Sequence, residues 1–173
     1  MDKTFTKENF FKFAKEFVEN TKRVVLAEGK GPPMFAMIFD EKMNAGCVSL
    51  ETYPSKDIAQ AAIKELTKRL NGLGVIFIAE SWLLMTRDED IHGDLDKHVN
   101  ELYETYESLE YHPERKECIC IHAMTRQETK AFYYFIERND KGKISTLTES
   151  PGFGETVTSM GGRMANPFNE LTH

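Results

Sequence analysis

The chain has 173 residues, enough for one well-buried core and too few for two. Its composition, 40% hydrophobic and 29% charged, is that of an ordinary globular protein, and no apolar run reaches transmembrane length. A formal charge of −6 argues against direct binding of nucleic acid, which normally calls for a basic excess.

The opening residues Met1-Asp2-Lys3-Thr4-Phe5 lack the apolar stretch of a secretory signal. Three cysteines (Cys47, Cys118 and Cys120) have no framework spacing. Free thiols and a cytoplasmic location are therefore expected. Thr6 can cap a first helix, and Phe10, Phe13, Ala14 and Phe17 recur at helical spacing, which predicts a helix from about Lys7 to Thr21. Val24-Val25-Leu26 can prolong that helix or open a short strand. Gly29-Lys30-Gly31-Pro32-Pro33 ends whatever precedes it.

Met34 to Asp40 is apolar on both faces, and Cys47 to Thr52 alternates weakly, so the two read as a hairpin. Ser55 then caps a helix whose stripe is Ile58, Ala59, Ala62, Ile63, Leu66 and Leu70, with Asn71-Gly72 at its end. Leu73 to Thr86 is the most apolar stretch. Val75, Phe77, Ala79, Leu83 and Met85 lie on one face at period two, and Ile76, Ile78, Trp82 and Leu84 on the other. A strand apolar on both faces belongs inside a sheet.

Asp88 to Glu110 holds nine acidic residues and one basic residue, a net charge of −8, which leaves the rest of the chain at +2. Ile91, Leu95, Val99, Leu102, Tyr106 and Leu109 recur every three or four residues, which predicts an amphipathic helix beginning near Gly93-Asp94. Glu117 to Thr125 and Thr129 to Arg138 read as strands, the second strongly aromatic, and Lys143 to Thr148 as an edge strand.

The expected fold class is α+β: one mixed or mostly antiparallel sheet of five or six strands with helices packed on it. Residues 1–149 form a single domain in this reading, with 88–110 an acidic helical excursion and 150–173 an irregular or flexible tail. As an order of elements, and only so, this resembles profilin-like and roadblock-like domains.

Three constellations carry candidate chemistry. Glu80 shares a strand face with Ile76, Ile78 and Trp82, neighbours that raise a carboxyl pKa unless a cation pairs with it. Pro113 holds His112 extended, so the loop Tyr111-His112-Pro113-Glu114-Arg115 presents His112 and Arg115 beside a strand. Arg115 can pair with Glu80 or bind an anion. Cys118, Cys120 and His122 alternate along one strand, a weak zinc-like set whose fourth ligand would have to come from elsewhere, with Cys47 and His112 as candidates, and which reads more simply as packed strand. No metal and no cofactor are called for: Walker, dinucleotide, nucleophile-elbow and His-Glu-x-x-His patterns are absent.

Glu80-Ser81-Trp82, followed by His112-Pro113-Glu114-Arg115-Lys116-Glu117, resembles a group of uncharacterised bacterial and phage proteins. They carry a Glu-Ala-Trp-like strand and a His-Pro-Asp-Arg-x-Glu-like loop. The resemblance spans about the middle third of the chain. It departs at Ser81, at Glu114 and in the acidic insertion. It implies that Glu80, Trp82, Pro113 and Arg115 are neighbours, and a role as a phage or mobile-element accessory.

The sequence thus points to a macromolecular binding protein. Glu101, Glu104 and Glu107 of the acidic helix would contact a protein partner with a basic surface. A homodimer is compatible with it. The alternative is a small hydrolase-like enzyme with Glu80 as acid or base and His112 and Arg115 at its mouth.

Overall fold

The computed structural model describes residues 4–84, 95–106, 111–157 and 167–168. Three helices and six strands follow in the order α1 (Lys7–Glu28), β1 (Phe35–Phe39), β2 (Ala45–Ser49), α2 (Lys56–Arg69), β3 (Gly74–Leu83), α3 (Leu95–Tyr106), β4 (Lys116–Thr125), β5 (Thr129–Arg138) and β6 (Ile144–Glu149). The strands make one sheet in the order β2-β1-β3-β4-β5-β6. Every pairing in it is antiparallel. The fold is α+β, as the alternation of patterns predicts.

Helix α1 starts at Thr6, whose hydroxyl accepts the amide of Asn9 at 3.1 Å. It runs past Thr21 because Val24-Val25-Leu26 continue it. Phe10, Ala14, Val18, Thr21 and Val25 are its buried residues, a stripe at steps of three and four. Burying Val25 outweighs the mild helix penalty of two adjacent β-branched residues. The helix ends at Gly29, whose amide donates to the Val25 carbonyl at 2.7 Å. Its other end rests directly on β3: a Cβ at Gly74 would lie 2.7 Å from Phe10 Cε2, so that strand position must be bare.

Strand β3 pairs on both edges, with β1 and β4, and its first six residues are buried. The two apolar faces of its sequence become the two sides of the core, one on each face of the sheet. Ile76 and Ile78 join Phe10, Ala14, Val18, Ile119, Ile121 and Tyr134 under α1. Val75, Phe77 and Ala79 join Ala36, Ile38, Ala59, Ile63, Cys118 and Cys120 on the opposite face, where α2 packs against β1. Met85 and Thr86, the end of the sequence stretch, lie outside the described residues.

Two details differ from the sequence reading. Strand β2 starts two residues before and ends three residues before the expected Cys47 to Thr52, in a register with β1 that sets Ala45 opposite Phe39 and Ser49 opposite Phe35. In α2, Ile58 and Leu70 are not core residues: they are 48% and 45% exposed. The inward face is narrower, formed by Ala59, Ile63 and Thr67, whose hydroxyl donates to the Ile63 carbonyl at 2.7 Å. After β6 the chain doubles back, with Thr156 bridging to Lys130 on β5. Phe168 is buried in the core on the α2 side. Among the described residues, no helix is long and apolar enough to cross a membrane.

Candidate functional site

The α1 face of the sheet changes character at one end. Alternation along three adjacent strands places Glu80 of β3, Glu117 of β4 and Arg138 of β5 on that face, beyond the last apolar layer. The Arg138 guanidinium lies between the two carboxylates. Its Nη2 donates to Glu80 Oε1 at 2.7 Å, and its Nε to both oxygens of Glu117 at 3.1 Å. Nη1 donates to the Gly142 carbonyl at 3.1 Å, which fixes the fork. Gly31, in the connection between α1 and β1, passes over Glu80 so closely that a Cβ there would overlap the carboxylate.

Glu80 is therefore a rim residue with its side chain 36% exposed, not a carboxylate sunk among isoleucines. Partial burial still raises its pKa, reinforced by the Glu117 carboxyl beside it and opposed by the charge of Arg138. Glu117 moves the other way: the hydrogen bond from Arg138 lowers it. One guanidinium and two carboxylates carry a net charge of −1. Two carboxylates held against one guanidinium titrate as a pair, not as independent acids. This is a proton-holding pair set at a solvent-facing edge.

The loop before β4 is organised separately. His112 Nδ1 accepts the amide of Glu114 at 3.1 Å, and the His112 carbonyl accepts Arg115 Nη1 at 3.0 Å. Arg115 does not pair with Glu80; its guanidinium lies 4.9 Å from the centre of the Trp82 ring. The His112 ring meets Tyr106, at the end of α3, edge-on at 4.6 Å. Trp82 links the two groups, since it follows Glu80 on the same strand face and carries Arg115. The cation on Glu80 is one the sequence reading missed. Arg138 is separated from Glu80 by 58 residues, and only the strand order brings them together.

On the opposite face Cys118, Cys120 and His122 alternate along β4 as expected, all buried. Cys120 Sγ lies 3.6 Å and the Tyr133 hydroxyl 2.9 Å from His122 Nε2, while His122 Nδ1 is buried with no partner. Burial pushes the His122 pKa down to about 4 and the Cys118 thiol up to about 12. Among the described residues, no three His, Cys, Asp or Glu side chains converge as metal ligands.

Helix α3 carries the described part of the acidic segment. Glu101 and Glu104 are exposed, and Glu101 lies 3.8 Å from Lys97 one turn earlier. Glu107, Gly93 and Asp94 lie outside the described residues. Among the described residues, α3 makes no extensive contact with any strand or other helix. No family model, curated protein or solved structure matches this chain.

Proposed function

We propose that this chain is a binding protein that engages a protein partner with a basic surface through its acidic excursion, with α3 as the contact element. The observation that carries this reading is the link between β3 and β4. These strands are antiparallel neighbours, which a two-residue turn can join. The chain instead uses the 32 residues 84–115. Connections of this length in compact domains are uncommon and are usually either functional or linkers, and this one carries a helix of its own. Within it, residues 88–110 concentrate a charge of −8, and Glu101 and Glu104 of α3 face solvent.

The test is a pull-down from host lysate at about 50 mM and about 500 mM salt, across which the Debye length falls from roughly 14 to 4 Å. Wild type is compared with the triple variant Glu101→Gln, Glu104→Gln, Glu107→Gln. The partner should elute with salt and be lost from the variant. Capture indifferent to both changes would rule the reading out.

A second reading, a hydrolase-like enzyme, is favoured by one observation: Glu80, raised in pKa, stands beside an ionised Glu117 at an exposed rim. Its check is a panel of ester, glycoside and phosphoester substrates, in which any turnover must vanish in Glu80→Gln.

A further inference from the structure

The two edges of the sheet are protected very differently. At the β6 edge the ladder with β5 shifts register at Glu137/Arg138, and Glu149 is paired with Lys22. Bulges and charges of this kind discourage further strand pairing. Strand β2, Ala45-Gly46-Cys47-Val48-Ser49, has no charge, no proline and no bulge.

Its open hydrogen-bonding groups can be assigned. Leu50 N donates to the Met34 carbonyl at 2.8 Å and Asp40 N to the Asn44 carbonyl at 3.1 Å, on either side of the register that runs from Phe35↔Ser49 to Phe39↔Ala45. Alternate residues of an antiparallel ladder point both backbone groups to the same neighbour. Asn44, Gly46, Val48 and Leu50 thus turn toward β1, and Ala45, Cys47 and Ser49 turn outward. Among the described residues, nothing bonds to those outward groups.

This pattern is symmetric about Cys47. We infer that the β2 edge is a self-association surface, where a second copy of the chain pairs antiparallel with β2 across a two-fold axis at Cys47. In that register Ala45 faces Ser49 of the other copy and Cys47 faces Cys47. All three pairs are hydrogen-bonded pairs, so six outward groups on each copy are satisfied at once. Small side chains line the seam. An exposed apolar residue flanks it on either face: Phe13, 37% exposed against Phe39, and Leu70, whose Cδ1 would lie 3.0 Å from a Cβ at Gly46.

Charge also favours a second copy over an arbitrary strand. The antiparallel register sets the turn bearing Lys42 of one copy against the Glu51 end of the other, twice. Neither side chain makes an ion pair within 4.0 Å among the described residues, although Lys42 lies close enough to Asp40 to help lower its pKa. This surface is separate from α3, and the inference does not depend on the partner-binding reading.

Hydrogen-bonded antiparallel pairs hold Cβ atoms about 5.5 Å apart, outside the disulfide window of about 3.5–4.5 Å. A short thiol-to-thiol reagent, dibromobimane, should therefore join two chains through Cys47 where oxidation does not. The experiment combines that cross-link with light scattering after size exclusion over a concentration series. Wild type should be a dimer and cross-link, and Cys47→Ser should remain a dimer that does not.

Cys47→Lys places two like charges face to face. Ser49→Pro removes an outward N–H, a change tolerated at an edge strand. Each should weaken the dimer by about tenfold or more, with helix and sheet signals unchanged in circular dichroism. A wild type that stays monomeric throughout, or a dimer that both variants leave intact, would overturn the inference. Cross-linking that survives Cys47→Ser would do the same.

Discussion

His122 offers the sharpest test of the packing on the α2 side. Its imidazole is buried, with Nε2 shared between Tyr133 and Cys120 and Nδ1 unpartnered, so the charged form has nothing to compensate its lost hydration. Burial accordingly lowers its pKa from 6.5 to about 4. The unfolded chain takes up the proton first as pH falls. The contribution to stability is thus complete above about pH 6.5, declines between pH 6.5 and 4, and levels off below. Linkage between those two values gives a loss of about 2 kcal/mol from pH 7.5 to pH 5, and about 3 kcal/mol by pH 4.

Carboxylates titrate in the lower part of this window, so the measurement must be differential. Urea unfolding of wild type and of His122→Gln, each at pH 7.5, 6 and 5, isolates the histidine. The variant loses the imidazole contact but has nothing to protonate there. Its stability should fall less steeply by about 2 kcal/mol between pH 7.5 and 5. Parallel profiles for the two proteins, or a His122 resonance titrating near 6.5 by NMR, would refute the reasoning.

Three further outcomes are expected. Arg138→Met leaves Glu80 and Glu117 facing each other without their cation. All three side chains are partly exposed, so the loss should be about 1 kcal/mol at neutral pH in low salt, shrinking as pH falls through the carboxylate range, as unfolding at pH 7 and pH 4 will show. Gly74→Ala drives a methyl into the Phe10 ring and should cost about 1–3 kcal/mol, measured by denaturant unfolding, with a lowered melting temperature as the simpler readout. Tyr134→Phe removes a buried hydroxyl with no hydrogen-bond partner. It should be neutral or stabilising by up to about 1 kcal/mol, and a loss of more than about 1 kcal/mol would show that the hydroxyl has a partner after all.

The layered arrangement was legible because it is written in local periodicity. Two apolar faces at period two place β3 in the interior, and the stripe from Phe10 to Val18 places α1 on one side of it. Residues whose environment depends on neighbouring strands were not legible. Nothing local distinguishes Arg115 from Arg138 as the partner of Glu80. The choice is made by the β3–β4 and β4–β5 registers, which carry Arg138 to the same rim, while a tight turn swings Arg115 onto Trp82.

Tyr133 as the partner of His122 depends on register in the same way. Ile58 and Leu70 fit a helical stripe, but a helix against a flat sheet buries a narrow line of side chains. Which residues fall just outside that line is a matter of tertiary rotation, not of sequence spacing.

The detour between β3 and β4 also has a kinetic side. These strands share the longest ladder of the sheet, from Gly74↔Thr125 to Leu83↔Lys116. Bringing its two halves together closes a loop of 32 residues. Chain statistics put the entropy of that closure about 2.5 kcal/mol above that of a two-residue hairpin. The β4–β5–β6 meander and the β1–β2 hairpin have only short turns to close. They should form ahead of the central ladder, which then joins two preassembled halves in the rate-limiting step. Conservative truncations in β4 and β5 should show high φ-values at their mutual contacts, and those in β3 low ones.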